Sequence, residues 1–195
     1  MKIADRIDRI QPSITLEMTA KAAELRNSGI DVINLSVGEP DFDTPNNIKE
    51  AAFYAINNGL TKYTAGAGTV DLKSAIIKKL KRDNNLDFKP ENVIVSCGGK
   101  HSLYNACQAL FQKGDEVIIF SPYWVSFPDF VSITGAKPVI VPTIPSKQYE
   151  PDFEILENSI NSNTKGIIIN SPSNPTGGVW SDEAIKRTLS IAKEK

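Results

Sequence analysis

The sequence predicts an α/β protein built on a mostly parallel sheet. Two observations carry this: short apolar runs that are continuous rather than alternating, and helical patterns that follow them. The runs are Val93–Val95, Val117–Phe120, Val139–Val141 and Ile167–Ile169. Successive strand residues point to opposite faces, so a strand covered on both faces needs apolar side chains at consecutive positions. Strand alternating with helix then implies right-handed crossovers that return each strand parallel to the last.

The helices follow from spacing and end signals. Segment 15–28 is predicted helical and ended by Gly29, and 46–58 is a second helix. From Thr69 to Asn85, Leu72, Ile76 and Leu80 share one face, while Lys78, Lys79, Lys81 and Arg82 favour the negative helix end. Between the later runs, 99–112, 123–135 and 151–160 are helical candidates. The last helix, 182–194, has Ser181 as its cap, Asp182 and Glu183 in its first turn, and a core-facing stripe of Ile185, Leu189 and Ala192. That stripe needs a sheet beneath it and a crossover helix should lead into another strand, so the chain reads as one cut short at Lys195.

Composition narrows the function. The 195 residues are 41% hydrophobic and 23% charged, which suits one full globular domain at ~150 residues per domain. Lys plus Arg number 22 and Asp plus Glu 23, a net charge of −1 that supplies no field for nucleic acid or an anionic membrane. A single histidine, His101, and two cysteines, Cys97 and Cys107, cannot assemble a Cys/His zinc site, so no metal is expected. The cysteines lack a C-x-x-C spacing and make no disulfide framework, which points to a reducing compartment. The charged N-terminus does not read as a secretory signal, and nowhere do about eighteen apolar residues run together. The expectation is a cytoplasmic protein.

The most informative stretch is Val93–Ser102, where an apolar run enters Gly98-Gly99 and a helix follows. Such a turn aims backbone N–H groups and the positive helix end at one point, which suits a phosphate. It serves equally as a tight turn with no ligand, and it is not a Walker loop. Gly66-Ala67-Gly68 fails as a dinucleotide fingerprint, since no strand precedes it and Asp71 replaces the third glycine; it reads as a loop leading to the Thr69 cap. Cys97 and His101 are separated by two glycines and read as a packed thiol and a helix-end histidine rather than a nucleophile pair. The basic run Lys78–Arg82 is a solvated helix end, and Tyr123 and Trp124, taken alone, are core aromatics.

In order, however, these pieces resemble the class I pyridoxal-phosphate aminotransferases, specifically the aspartate aminotransferase group. The matching residues are Leu35-Ser36-Val37-Gly38-Glu39-Pro40-Asp41-Phe42-Asp43-Thr44-Pro45, Lys62-Tyr63-Thr64 with Gly68, Cys97-Gly98-Gly99-Lys100, Ser121-Pro122-Tyr123-Trp124-Val125-Ser126, and Asn170–Gly178. The resemblance spans essentially the whole chain. It implies the three-layer, mostly parallel sheet of that family's large domain, incomplete here. Residues 1–45 would form an N-terminal arm and small-domain segment, and 46–195 the N-terminal portion of the cofactor-binding large domain.

The resemblance also implies roles. Gly98, Gly99 and Lys100 would receive the phosphate of pyridoxal 5'-phosphate. Trp124 would stack on its ring and contact substrate, and Asn174 would donate to its phenolic oxygen near the substrate carboxylate. Gly38 would close over the substrate, where a side chain would obstruct approach. Tyr63 would reach the phosphate in a neighbouring subunit, which implies a homodimer. Pro122 and Pro175 match prolines that are cis in relatives. The implied reaction moves an amino group from an L-amino acid, aspartate by the group resemblance, to a 2-oxo acid such as 2-oxoglutarate through a pyridoxal-phosphate aldimine. A lyase of the same fold shares these motifs, and a non-catalytic module holding a phosphate-bearing ligand is the alternative of another class. In the family the Schiff-base lysine, the carboxylate for the pyridine nitrogen and the substrate-gripping arginine all lie downstream of the Asn174 motif. The chain is therefore expected to be an N-terminal fragment without the catalytic lysine, inactive alone, with Lys100 at the wrong end of the cofactor to replace it.

Overall fold

The computed structural model describes residues 3–10, 12, 14–35 and 38–194. Ser36 and Val37 of the motif at 35–45, and Lys195, lie outside them. The chain divides into two compact units, Pro12–Cys97, and Gly98–Lys195 together with Met1–Gln11.

The unit Pro12–Cys97 is helical. Its elements are α1 (Ile14–Asn27), α2 (Asn46–Asn57) and α3 (Val70–Asn84). Gly29 ends α1 as predicted: at φ +83° its N–H reaches Arg26 O, and the Ile30 N–H reaches Leu25 O, which satisfies the last carbonyls. Gly59 does the same for α2, with Leu60 N–H on Ala55 O. The Thr69 hydroxyl caps α3 by accepting from the Leu72 N–H. The loop before it is structural. Gly68 sits at φ +102°, and a Cβ there would come within 2.6 Å of Val95 Cγ2, so only glycine allows this approach.

One sequence expectation fails in this unit. Val93–Val95 is not a strand. Val93 is extended, but of the two backbone bonds its segment donates one closes a local turn, Val93 N–H to Pro90 O, and only Val95 N–H to Ala67 O reaches another segment; Ile94 is 73% exposed. Extended geometry becomes a strand only against a partner edge, and apolar composition cannot create one.

The other unit carries the sheet. Its elements are α4 (Gly99–Leu110), β1 (Glu116–Ser121), α5 (Ser126–Ser132), β2 (Lys137–Ile144), β3 (Glu150–Pro151), α6 (Phe153–Ser159), β4 (Thr164–Ile168) and α7 (Asp182–Glu194). Strand order is β3-β2-β1-β4, with β1 parallel to both β2 and β4. Only the two-residue β3 is antiparallel, pairing Thr143 with Pro151 and Ile144 with Glu150. β1 is the central strand, and Val117, Ile118, Ile119 and Phe120 are all buried. Burying side chains of this size stabilises by roughly 1.5–3 kcal/mol each.

Successive β1 residues feed opposite layers, as the continuous apolar run predicts. Ile118 and Phe120 pack with Val141, Leu156 of α6, Trp180, and Ala184 and Ile191 of α7. Val117 and Ile119 pack on the other face with Phe127 and Val131 of α5, beside Leu103 of α4. This is a three-layer α/β/α arrangement. β2 and β4 are only partly covered, so the expectation of burial on both faces holds for β1 alone.

Two boundaries and one face differ from expectation. α5 starts at Ser126 rather than 123, after the cis Ser121–Pro122 bond, and Gly135 at φ +95° lies beyond its end. β2 does not run directly into a helix: Gln148 and Tyr149 adopt left-handed conformations and the chain doubles back as β3 before Asp152 caps α6. In α7 the Ser181 cap holds, with its hydroxyl accepting from the Ala184 N–H. The buried stripe, however, is Ala184, Thr188 and Ile191; Ile185 is half-buried, while Leu189 and Ala192 are exposed. Thr188 enters the core because its hydroxyl donates back to Ala184 O at 2.8 Å, leaving no unpaired polar atom there.

Candidate active site

Three groups of the sheet-bearing unit carry the candidate site: the Gly98 turn at the start of α4, and Trp124 and Asn174 on the loops that leave the C-terminal ends of β1 and β4. Crossover geometry leaves loops free at that end of an α/β sheet, and ligands bind there. The first group is the start of α4. Gly98 holds φ +84° at the N-cap, and the first turn carries no acidic residue. A Cβ on Gly98 or Gly99 would meet nothing within 4 Å, so the turn faces open space. Glycine backbone at the start of a helix and the positive helix end are suited to an anion.

The second group is Trp124. Its ring stands edge-on to Phe127 at 5.5 Å and to Phe130 at 5.8 Å, both on α5, so two aromatic neighbours fix its plane. Lys100 Nζ lies 5.3 Å from the indole centroid, which brings the first turn of α4 to the Trp124 ring. The loop leading to Trp124 is tied down from β2, because the Thr143 hydroxyl donates to Ser121 O at 2.7 Å.

The third group is Asn174, in the loop after β4. Its N–H donates to Asn170 Oδ1 at 2.8 Å, while among the described residues its side-chain amide has no hydrogen-bond partner. Asn174 lines a small cleft of about 20 Å³ whose walls include Pro122, Tyr123, Asn170 and Trp180. No lysine lines that cleft among the described residues. The bonds Ser121–Pro122 and Asn174–Pro175 are cis as the resemblance implied, and Ser171–Pro172 is cis as well.

Gly38 and Tyr63 belong to the helical unit. A Cβ added to Gly38 would meet nothing within 4 Å, and the Tyr63 ring is fully exposed beside Thr61 and Lys62. Cys97, expected to be a packed thiol, is exposed instead, because it sits in the turn before α4; the packed thiol is Cys107, whose burial pushes its pKa up, in keeping with an inert core role. Among the described residues no cluster of His, Cys, Asp or Glu could hold a metal ion, and no helix is long and apolar enough to cross a membrane.

Sequence reasoning missed the residues that build the Asn174 loop. Trp180 donates its Nε1–H to Tyr149 O at 2.7 Å and its backbone N–H to Ser171 Oγ at 3.0 Å, and its ring meets Phe120 edge-on at 4.9 Å. The left-handed pair Gln148–Tyr149 carries no glycine or Asn-Gly signal that could have revealed it. Asn170 stands inside a quoted motif, but its contacts depend on the folded loop.

A glycine turn at a helix start, an indole against two aromatic rings and a carboxamide with no protein hydrogen bond among the described residues, on the loops of a three-layer α/β sheet, are the arrangement of a ligand-binding domain of the α/β class. The chain belongs to the class I and II aminotransferases, whose family model matches residues 30–195. That family is one of pyridoxal-phosphate-dependent enzymes. The chain is 48% identical over 192 residues to an aspartate aminotransferase of Bacillus sp. (strain YM-2), covering 98% of this chain and 49% of that protein. It is 50% identical to an aspartate/prephenate aminotransferase of Nitrosomonas europaea, covering 100% of this chain and 49% of that protein. Its fold matches a Thermus thermophilus aspartate aminotransferase solved with maleate at a TM-score of 0.95 and 43% identity, over 100% of this chain and 51% of that one. The chain thus spans about half the length of the curated relatives it matches.

Proposed function

We propose that this chain is the N-terminal part of an aminotransferase that moves an amino group from L-aspartate to a 2-oxo acid, 2-oxoglutarate. The carrying observation is that Lys100, in the first turn of α4, reaches the Trp124 ring, while Asn174 stands on the loop after β4 in a cleft walled by Pro122 and Tyr123, the residues just before Trp124. These residues fit pyridoxal phosphate, an electron sink that supports loss of the α-proton from a bound amino acid. Gly98, Gly99 and Lys100 hold the phosphate through backbone N–H groups and a cationic side chain. Trp124 keeps the pyridine ring in one plane and borders the substrate. Asn174 donates to the phenolic oxygen and lies by the substrate carboxylate. Gly38 leaves room for the backbone to close over the substrate, and Tyr63 reaches the phosphate across a homodimer.

The relative solved with maleate supports a dicarboxylic substrate, since maleate and aspartate are both four-carbon dicarboxylates. The relative named for aspartate and prephenate makes prephenate a second acceptor to assay. That the chain spans about half the length of its relatives supports the reading that the Schiff-base lysine is not supplied by this chain, and that the chain alone is inactive. A cytoplasmic location is in keeping with the charge balance and with two cysteines that form no disulfide.

The test has two parts. The full-length protein should convert L-aspartate and 2-oxoglutarate to oxaloacetate and glutamate; no transfer with either acceptor overturns the substrate reading. The 195-residue chain, incubated with pyridoxal phosphate and reduced with borohydride, should show no stoichiometric label. Site-specific labelling of Lys100 would overturn the assignment of that lysine to the phosphate.

A further inference from the structure

Asn174 presents a side-chain amide with no protein hydrogen bond among the described residues, so the point from which that amide projects is set by its main chain alone. That main chain is held from Asn170. Asn170 Oδ1 accepts the Asn174 N–H at 2.8 Å, and Asn170 Nδ2 donates to Pro172 O at 3.2 Å. One planar carboxamide therefore grips the loop at two points, with Asn170 itself standing just past β4 and lining the same cleft as Asn174. The far side of the loop closes on itself, through Gly177 N–H to Ser173 O, Ser173 N–H to Gly178 O and Gly178 N–H to Thr176 Oγ1. None of those bonds touches Asn174.

Only a carboxamide of this length offers an acceptor and a donor at that spacing. An aspartate would set an anionic oxygen against the Pro172 carbonyl, glutamine would overreach by a methylene, and alanine would leave both main-chain groups unpaired. We propose that Asn170 is a positioning residue that holds the backbone at Asn174 so that the Asn174 amide meets the phenolic oxygen of the cofactor. This rests on the reading of Asn174 given above.

The experiment is a pH titration of the visible absorbance of bound pyridoxal phosphate in the full-length holoenzyme, comparing wild type, N174A, N170A and the double variant. A donor on the phenolic oxygen favours its ionised form, so losing that donor raises the pH midpoint. N174A should raise the midpoint, and N170A should raise it in the same direction by about half a pH unit or more. The double variant should match N174A, because Asn170 acts only through Asn174. Additive shifts, or an unmoved N170A midpoint beside a moved N174A, overturn the positioning role and leave the Asn174 reading standing. An unmoved N174A midpoint overturns the Asn174 reading and the positioning role with it. A lowered thermal midpoint with an unchanged pH midpoint in N170A marks a merely structural role and also overturns the proposal. N170S replaces N170A throughout if the alanine variant does not fold.

Discussion

The indole of Trp180 donates to the main-chain oxygen of Tyr149 at 2.7 Å, joining the end of the Asn174 loop to the left-handed turn between β2 and β3. Gly178 packs so closely under this turn that an added Cβ would stand 2.7 Å from Gln148 O. The loop that presents Asn174 is thus seated on a turn from a different part of the sheet. W180F keeps an aromatic against Phe120 but loses the donor, and should lower stability by about 1–2 kcal/mol. W180A also opens a cavity and should cost about 3–5 kcal/mol. Urea denaturation followed by circular dichroism reads both values, and a W180F variant as stable as wild type would show that the hydrogen bond contributes nothing.

Two glycines with positive φ separate conformational cost from steric cost. Gly29 has no neighbour within 4 Å of a Cβ, so G29A should lose only about 1 kcal/mol from the left-handed backbone. Gly68 adds a 2.6 Å approach to Val95, so G68A should lose about 2–4 kcal/mol. Hydrogen exchange at the Val95 amide, which bonds to Ala67 O, should quicken in G68A and not in G29A.

Glu150 ties β3 to the cap of α7. Its Oε1 accepts the Ser181 N–H at 3.0 Å, and hydrogen bonds from the Ser181 side chain and backbone hold its carboxyl below the ordinary glutamate value of 4.5. A carboxyl depressed on folding contributes stability that is present above its unfolded pKa and is lost as pH falls through the folded one. The stability difference between wild type and E150Q should therefore be present at neutral pH and shrink below pH 4.5. Thermal midpoints across an acid series measure it, and a difference independent of pH would contradict the linkage.

Cys97 is exposed and Cys107 is buried with a raised pKa. Thiolate is the reactive form, so a native protein treated with a thiol-disulfide reagent should release one equivalent quickly. The second should appear only on unfolding. C97S should abolish the fast phase.

The helical unit leaves Ile33, Leu35, Phe42, Phe53, Leu60 and Val70 more than half exposed. Apolar surface on that scale favours association. The isolated chain should bind a hydrophobic dye and self-associate with rising concentration; a monodisperse monomer in sedimentation would contradict this.

Much of this architecture was legible from local chemistry. The Thr69 and Ser181 caps, the Gly29 stop and the continuous apolar run of β1 are short-range signals, since each depends on groups a few residues apart or on one residue's backbone freedom. The Gly98 turn was legible for the same reason, and the ordered motifs carried the family. Val93–Val95 shows the limit of that kind of signal: its composition is that of a strand, yet a strand requires a partner edge that composition does not supply. The register of α7 is another case, because Thr188 is buried by a hydroxyl bond to its own helix that apolar periodicity discounts. The seating of Asn174 lay furthest from reach. Its direction depends on Asn170, on Trp180 and on the left-handed turn at Gln148–Tyr149, groups separated in the chain that only packing brings together. Local capping and hydrophobic pattern are properties of neighbouring residues and can be read along the chain. Pairing, register and the aim of a side chain are set by long-range contacts, and those exist only once the sheet has formed.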